Sequence, residues 1–343
     1  MEEAIKNFPK QFGWRPEIKN KISKIKYNNF IVCGMGGSAL AGDLLRVVTQ
    51  TEFGSVRIWR DYGLPDNINK KTLIIASSYS GNTEETIDAF LEARRRGLPL
   101  AAITTGGKLL ELAKKYNIPH IQIPNTNIQP RMATGFMITA LMKLMRFEKL
   151  SHDAGNLPRS LNINISQRAG KALAEKLRGK IPIIYSSAKN FPLAYNWKIK
   201  FNETAKIPAF CNVFPELNHN EMSGFDFGKF SERGGITPPP TTSHYFKGRG
   251  GGGRVTLFPQ FHFIFLEDKA DDPRIIKRMK ITKKLFEARR LEVRDVKLEG
   301  KGVLHKIFQN LLIVDWTAFY LAQSYGHDPE QVLMVEELKK MIK

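Results

Sequence analysis

Cysteine is scarce. Only Cys33 and Cys211 occur in 343 residues, which excludes a disulfide framework and suits a reducing compartment. No run of about 18 apolar residues is present, so no membrane span is expected. The opening Met1-Glu2-Glu3-Ala4-Ile5-Lys6 lacks the basic-then-apolar pattern of a signal peptide, and a cytoplasmic location is expected. No His-Glu-x-x-His and no clustered Cys/His pair occurs, so no metal site is implied. Gly106-Gly107-Lys108-Leu109 lacks the upstream glycine and the following Ser/Thr of a P-loop. Acidic residues are also in deficit: 33 Asp and Glu face 53 Lys and Arg, a net charge of +20. Such a balance raises nucleic acid as a partner. The basic residues are spread along the chain without a zinc-finger, homeodomain or RNP pattern, and we read them as a solvated surface.

What is present is a repeated design. Phe30 to Cys33 reads as a short buried strand, Gly34-Met35-Gly36-Gly37-Ser38 as a glycine turn, and 38–49 as a helix with Leu40, Leu44 and Val47 on its apolar positions. Leu73 to Ala76 reads as another strand, followed by Ser77-Ser78-Tyr79-Ser80-Gly81-Asn82-Thr83 and a helix over 84–96. Helix N-termini offer free N–H groups and a positive dipole end to an anion. Two such units suggest one anionic ligand held from two sides, by Gly37 and Ser38 in one turn and by Ser78, Ser80 and Thr83 in the other. Ordinary helix capping by Thr83 ahead of Glu84 and Glu85 is the simpler account of the second turn alone. A dinucleotide site competes for the first: Gly34-x-Gly36-x-x-Ala39 fits a G-x-G-x-x-A turn, and Asp61 lies near the end of the next strand. That reading leaves the hydroxyls of Ser78, Ser80 and Thr83 without a role.

Around these turns, strands at 55–59, 98–104 and 120–123 alternate with helices at 108–116 and 133–147, after an N-terminal helical arm over 1–29. Such alternation means a parallel sheet covered on both faces. A polar segment at 150–163 separates a second alternating region: strands at 181–186, 261–266 and 290–298, and helices at 190–203, 271–289, 303–325 and 330–342. We therefore expect an α/β protein of two domains, 1–150 and 151–343. The stretch at about 229–260 breaks the pattern with a proline triplet, a glycine quartet and almost only positive charge. It reads as a loop without helix or strand period, as a single RGG-like segment, or as the product of a frame error.

Gly34-Met35-Gly36-Gly37-Ser38 together with Ser78-Tyr79-Ser80-Gly81-Asn82-Thr83-Glu84-Glu85-Thr86 resembles the sugar isomerase (SIS) domain family. Gln129-Pro130-Arg131, Asn202-Glu203-Thr204-Ala205-Lys206-Ile207 and Pro215-Glu216-Leu217-Asn218-His219-Asn220 resemble one branch of it, the bifunctional phosphoglucose/phosphomannose isomerases. The resemblance runs nearly the whole length, apart from the segment at 229–260. It implies two SIS-type domains, each a parallel β-sheet flanked by helices, and metal-independent interconversion of glucose 6-phosphate, and mannose 6-phosphate beside it, with fructose 6-phosphate in glycolysis and gluconeogenesis. No cofactor is implied. The reaction passes through a cis-enediol(ate), and the resemblance gives each step a residue. Glu203 moves the proton between C1 and C2, His219 opens the ring with help from Lys339, and Arg131 stabilises the enediolate. Gly37, Ser38, Ser78, Ser80 and Thr83 hold the phosphate. These roles fit the residue types: histidine titrates near neutral pH, and a fixed cation answers charge that develops on an oxygen. The family also implies a homodimer in which the histidine serves the partner's site. A threonine that some relatives carry shortly before the final helix falls at Val332 here, a departure that bears on the mannose epimer. A non-catalytic SIS regulator that senses sugar phosphate is the other reading. It would keep the serine turn and lack the Arg131, Glu203 and His219 set.

Overall fold

A computed structural model describes residues 1–20, 25–49, 55–226 and 261–342; the anomalous segment at about 229–260 lies outside them. The described residues form two parallel sheets. The first holds β1 (Asn29–Cys33), β2 (Ser55–Trp59), β3 (Thr72–Ser77), β4 (Leu100–Thr104) and β5 (His120–Gln122) in the order β2-β1-β3-β4-β5. The second holds β6 (Ile181–Ser187), β7 (Phe210–Phe214), β8 (Phe261–Glu267) and β9 (Glu292–Lys297) in the order β7-β6-β8-β9. All strand pairs are parallel, as crossover connections require. The near-continuous burial of β3, β4, β6 and β8 is that of strands covered on both faces.

Helices α1 (Glu2–Asn7), α2 (Gly36–Thr49), α3 (Glu84–Arg95), α4 (Gly107–Lys115), α5 (Thr134–Met145), α6 (Glu148–Ala154), α7 (Leu157–Ser160), α8 (Ile163–Leu177), α9 (Phe191–Lys200), α10 (Pro273–Glu287), α11 (Val303–Ser324) and α12 (Leu333–Met341) complete the described residues. None is long and apolar enough to cross a membrane. One continuous apolar core joins the halves, from Val32 and Ile75 of the first sheet to Ile264 and Leu266 of the second, through Trp197 and Trp316.

Four departures from the sequence-based expectation have physical causes. The N-terminal arm is helical only to Gly13, as α1 and a 3-10 turn over Phe8–Gly13. That turn pins Phe8 and Phe12 against Phe308 of α11, with ring centroids 5.8 and 4.6 Å apart. Residues 150–163 are not a simple polar linker but include α7 and most of α6, which bury Leu150, Ala154 and Leu157. Helix α8 was not expected: only Leu173 and Leu177 of its buried face are large apolar side chains, beside Ser166, Gly170 and Ala174. Gly170 is required there, since a Cβ would lie 2.5 Å from Cβ of Trp316. Strand β7 sits at a sheet edge with only Phe214 fully buried, so its alternation is faint.

Candidate active site

The first sheet changes direction between β1 and β3: the chain runs from β1 outward to β2, then returns to the other side at β3. The crevice beyond the carboxyl ends of strands at such a point is where open α/β sheets bind ligands. Cys33 pairs with Ala76, so the glycine turn and the serine turn leave the sheet side by side. Three contacts stitch them together. Ser38 Oγ accepts the N–H of Tyr79 at 2.9 Å, Ser77 Oγ donates to the Ser38 carbonyl at 3.2 Å, and a Cβ on Gly34 would lie 2.6 Å from the Ser77 carbonyl oxygen.

The serine turn is held by its own hydroxyls. Ser78 Oγ accepts the N–H of Gly81 at 3.0 Å and lies 2.9 Å from Thr83 Oγ1, and Ser80 Oγ accepts the N–H of Asn82 at 3.3 Å. Thr83 precedes α3 but makes no side-chain capping bond to it, so simple capping does not account for this threonine. Gly81 has φ of +73° and packs so tightly on Gly106 that a Cβ would meet the Gly106 carbonyl oxygen at 1.8 Å. Ser78 and Ser38 are buried, Thr83 is half-buried and Ser80 is exposed, so the turn presents its outer hydroxyls over a rigid base.

Gly37 links this anion-ready end to a charged centre. Its Cα faces the main chain of the 3-10 turn Pro130–Met132, and an added Cβ would lie 2.6 Å from the Arg131 nitrogen. Arg131 is buried, and its guanidinium is fully oriented. Nε donates to Thr204 Oγ1 at 3.0 Å, Nη1 to Glu203 Oε2 at 3.3 Å, and Nη2 to the carbonyls of Pro329 and Glu330 at 2.6 and 3.1 Å. Four of its five N–H donors thus have acceptors among the described residues, and the fifth, on Nη1, sits beside Glu203. Burial pulls the guanidinium below its usual range, while Glu203 and Asp315 push it back.

Glu203 stands on a single π turn, Phe201–Ala205, that continues α9, where the sequence suggested a helix end and a polar turn. Such turns widen a helix locally and recur at functional sites. Here the turn brings Glu203 and Thr204 together onto Arg131. Glu203 is 32% exposed against 1% for Arg131, so the carboxylate is the accessible member of the pair. Lys206, in the left-handed region with φ of +59°, donates to the Glu203 carbonyl. Burial and the field of Arg131 lower its pKa. The sequence reading missed Lys206 as a second cation beside Glu203, although it stands inside the Asn202–Ile207 block.

His219 and Lys339 stand outside the hydrogen bonds that join Arg131, Thr204 and Glu203 within one chain. His219 ends the 3-10 turn Glu216–His219 after edge strand β7 and is exposed. Lys339 lies on α12, which buries no residue, and pairs with Glu336 at 2.9 Å. Among the described residues neither has a hydrogen bond or ion pair to Arg131 or Glu203.

The equivalent point of the second sheet, between β6 and β8, is occupied from within. Ser187 Oγ donates to Asp271 at 2.8 Å, Asn190 Nδ2 donates to Asp271 and Asp268 at 3.1 and 3.3 Å, and Lys306 Nζ lies 2.7 Å from Asp268. Burial opposes ionisation of Asp268, but Lys306 and the N–H of Ala270 outweigh it and hold the carboxyl below its usual range. An acidic, internally paired crevice does not suit a phosphate.

Fold and site together define a SIS-type sugar-phosphate protein: two parallel sheets with crossover helices, and hydroxyl-lined turns at the switch point of one of them. Residues 166–342 match the bacterial phospho-glucose isomerase C-terminal SIS domain. The chain belongs to the bifunctional phosphoglucose/phosphomannose isomerase family. It is 34% identical to the bifunctional phosphoglucose/phosphomannose isomerase of Caldicellulosiruptor bescii, over 100% of this chain and 98% of that one. It is 30% identical to the protein of the same name from Aquifex aeolicus, over 100% and 99%. The C-terminal domain of glucosamine-fructose-6-phosphate aminotransferase from Francisella tularensis shares the fold, with a TM-score of 0.64 at 13% identity, over 96% of this chain and 97% of that one.

Proposed function

We propose that this protein interconverts glucose 6-phosphate and mannose 6-phosphate with fructose 6-phosphate. The observation that carries the reading is the Arg131–Glu203 pair, built beside the phosphate-suited turns and open on the carboxylate side. Full-length relatives named for both activities support it, and they speak for catalysis over a merely sensing role.

In this reading the phosphate rests on the turns of Gly37–Ser38 and Ser78–Thr83, where hydroxyl and backbone donors hold it without a full positive charge. Glu203 takes the proton from C2 of the aldose and returns it to C1. The remaining Nη1 donor of Arg131 answers the oxygen on which charge develops, in a buried setting where such a donor is worth most. His219 opens the ring with Lys339. Both are exposed and unpaired with Glu203 within one chain, which fits a homodimer whose sites are completed across subunits. The two sheets correspond to domains 1–150 and 151–343, and the chain acts in the cytoplasm within glycolysis and gluconeogenesis. The test is a coupled assay of fructose 6-phosphate formed from each aldose phosphate without added metal. Turnover of both supports the reading, and no turnover of either removes it. Activity on glucose 6-phosphate alone would remove the mannose 6-phosphate half of the reading.

A further inference from the structure

Lys200 is the last residue of α9, directly before the π turn that carries Glu203. Its side chain is 1% exposed, as is that of its partner Asp315 on α11, and Nζ lies 2.6 Å from Asp315 Oδ1. Burying an ion pair rarely stabilises a fold more than apolar residues of the same volume would, so its presence asks for another reason. The ammonium has a second acceptor, the backbone carbonyl of Arg131 at 2.7 Å, with Met132 Sδ at 3.5 Å.

That carbonyl places Lys200 in the frame of the site. The main chain of Arg131 is gripped from two directions, by Gly37 of the phosphate turn against its nitrogen and by Lys200 at its oxygen. The side chain of Arg131 is gripped by Thr204 and Glu203, which follow Lys200 by four and three residues. One ammonium therefore ties the strand of chain that bears the cation to the turn that bears the carboxylate. Asp315 neutralises it without competing for the carbonyl.

We propose that Lys200, balanced by Asp315, is a positioning residue that sets the Arg131 guanidinium against Glu203. It acts on the step in which charge develops and not on phosphate binding. The proposal rests on the isomerase reading above.

Lys200→Met alone strands a buried carboxylate and invites misfolding, so the informative variant is Lys200→Met/Asp315→Asn, which removes both charges together. Two probes separate the roles. A hexitol 6-phosphate carries the phosphate and a neutral head. A five-carbon aldonic acid 5-phosphate carries the phosphate and a carboxylate where the enediolate oxygens form. Thermal unfolding first verifies that the double variant folds. Calorimetric affinities for both probes and steady-state kinetics then follow. The expected result is KM and hexitol phosphate affinity within about twofold of the parent, with kcat and aldonate affinity both reduced on the order of ten- to a hundredfold. Unchanged kcat and aldonate affinity overturn the proposal. Equal weakening of both probes also overturns it, in favour of general support of the fold. A parent protein that neither isomerises nor binds the probes removes the functional reading, and the positioning role with it, whereas an active parent with an unaffected variant removes the positioning role alone.

Discussion

Replacing Gly37 with alanine places one methyl group against the main chain that carries Arg131. The new Cβ would lie 2.6 Å from the Arg131 nitrogen, 2.7 Å from the Pro130 carbonyl carbon and 3.0 Å from the Arg131 Cα. All three are backbone atoms, so no side chain can swing aside. Ordinary contact begins near 3.4 Å, and the two segments must therefore part by about 0.8 Å. Helix α2 cannot supply the shift, because Ser38 to Leu45 are buried without a break. The displacement falls on the Pro130–Met132 turn, hence on Arg131. Overpacking of this kind costs about 1–3 kcal/mol, a fall in Tm of about 2–4 °C for a chain of this size. A shift approaching 1 Å in a group that aligns the reaction is worth about a hundredfold in rate. The expected outcome in the coupled glucose 6-phosphate assay is kcat lowered about a hundredfold by a protein that still folds. Gly36→Ala supplies the control. Gly36 has φ of +47° and nothing within 4 Å of an added Cβ, so alanine costs about 1–2 kcal/mol of backbone strain and leaves Arg131 in place. A folded Gly37→Ala protein with kcat within about twofold of the parent would refute the argument that this contact aligns Arg131.

Three further outcomes follow from the geometry. Glu203→Gln is expected to lower kcat by at least about a hundredfold while hexitol 6-phosphate binding is retained; near-parental turnover would remove Glu203 as the base. Ser78→Ala deletes one of the two acceptors of the Gly81 N–H, leaving the Ser78 carbonyl at 3.2 Å, and removes the partner of Thr83, so KM should rise about tenfold with kcat little changed, at a stability cost of about 1 kcal/mol; an unaltered KM would show that the turn holds no phosphate. His262 is buried, and burial lowers its pKa despite Glu292 at 3.0 Å. The unfolded chain therefore takes up the proton first, and stability falls as pH drops below about 6.5 toward the depressed folded value. His262→Gln should flatten Tm against pH across that window, and an unchanged slope would contradict the assignment.

The residues of the two turns were legible because their signals are local. A glycine run between an apolar strand and a helix, and three hydroxyls around Gly81, need no knowledge of the rest of the chain. Strand β7 was not legible, because an edge strand with one buried side chain leaves little alternation, and helix α8 was not expected although Leu173 and Leu177 share its buried face. Lys200 and Asp315 were passed over because a lysine or aspartate in a helix pattern reads as solvent-facing, and only packing reveals that they are in the core.

By itself the sequence determined an alternating α/β chain, the order of most of its strands and helices, and the two turns that suit an anion. These follow from hydrophobic period and backbone permissiveness, which neighbouring residues decide among themselves. Only the tertiary structure decided that Arg131 meets Glu203 across 72 residues and the Pro329 carbonyl across 198. It also decided that a π turn presents the carboxylate, that Lys200 grips the Arg131 carbonyl, and that the second sheet fills its own crevice with Asp268, Asp271 and Lys306. Those encounters depend on how crossover helices stack the strands. A group's charge state and accessibility come from what that stacking leaves around it, and no local stretch of sequence carries that information.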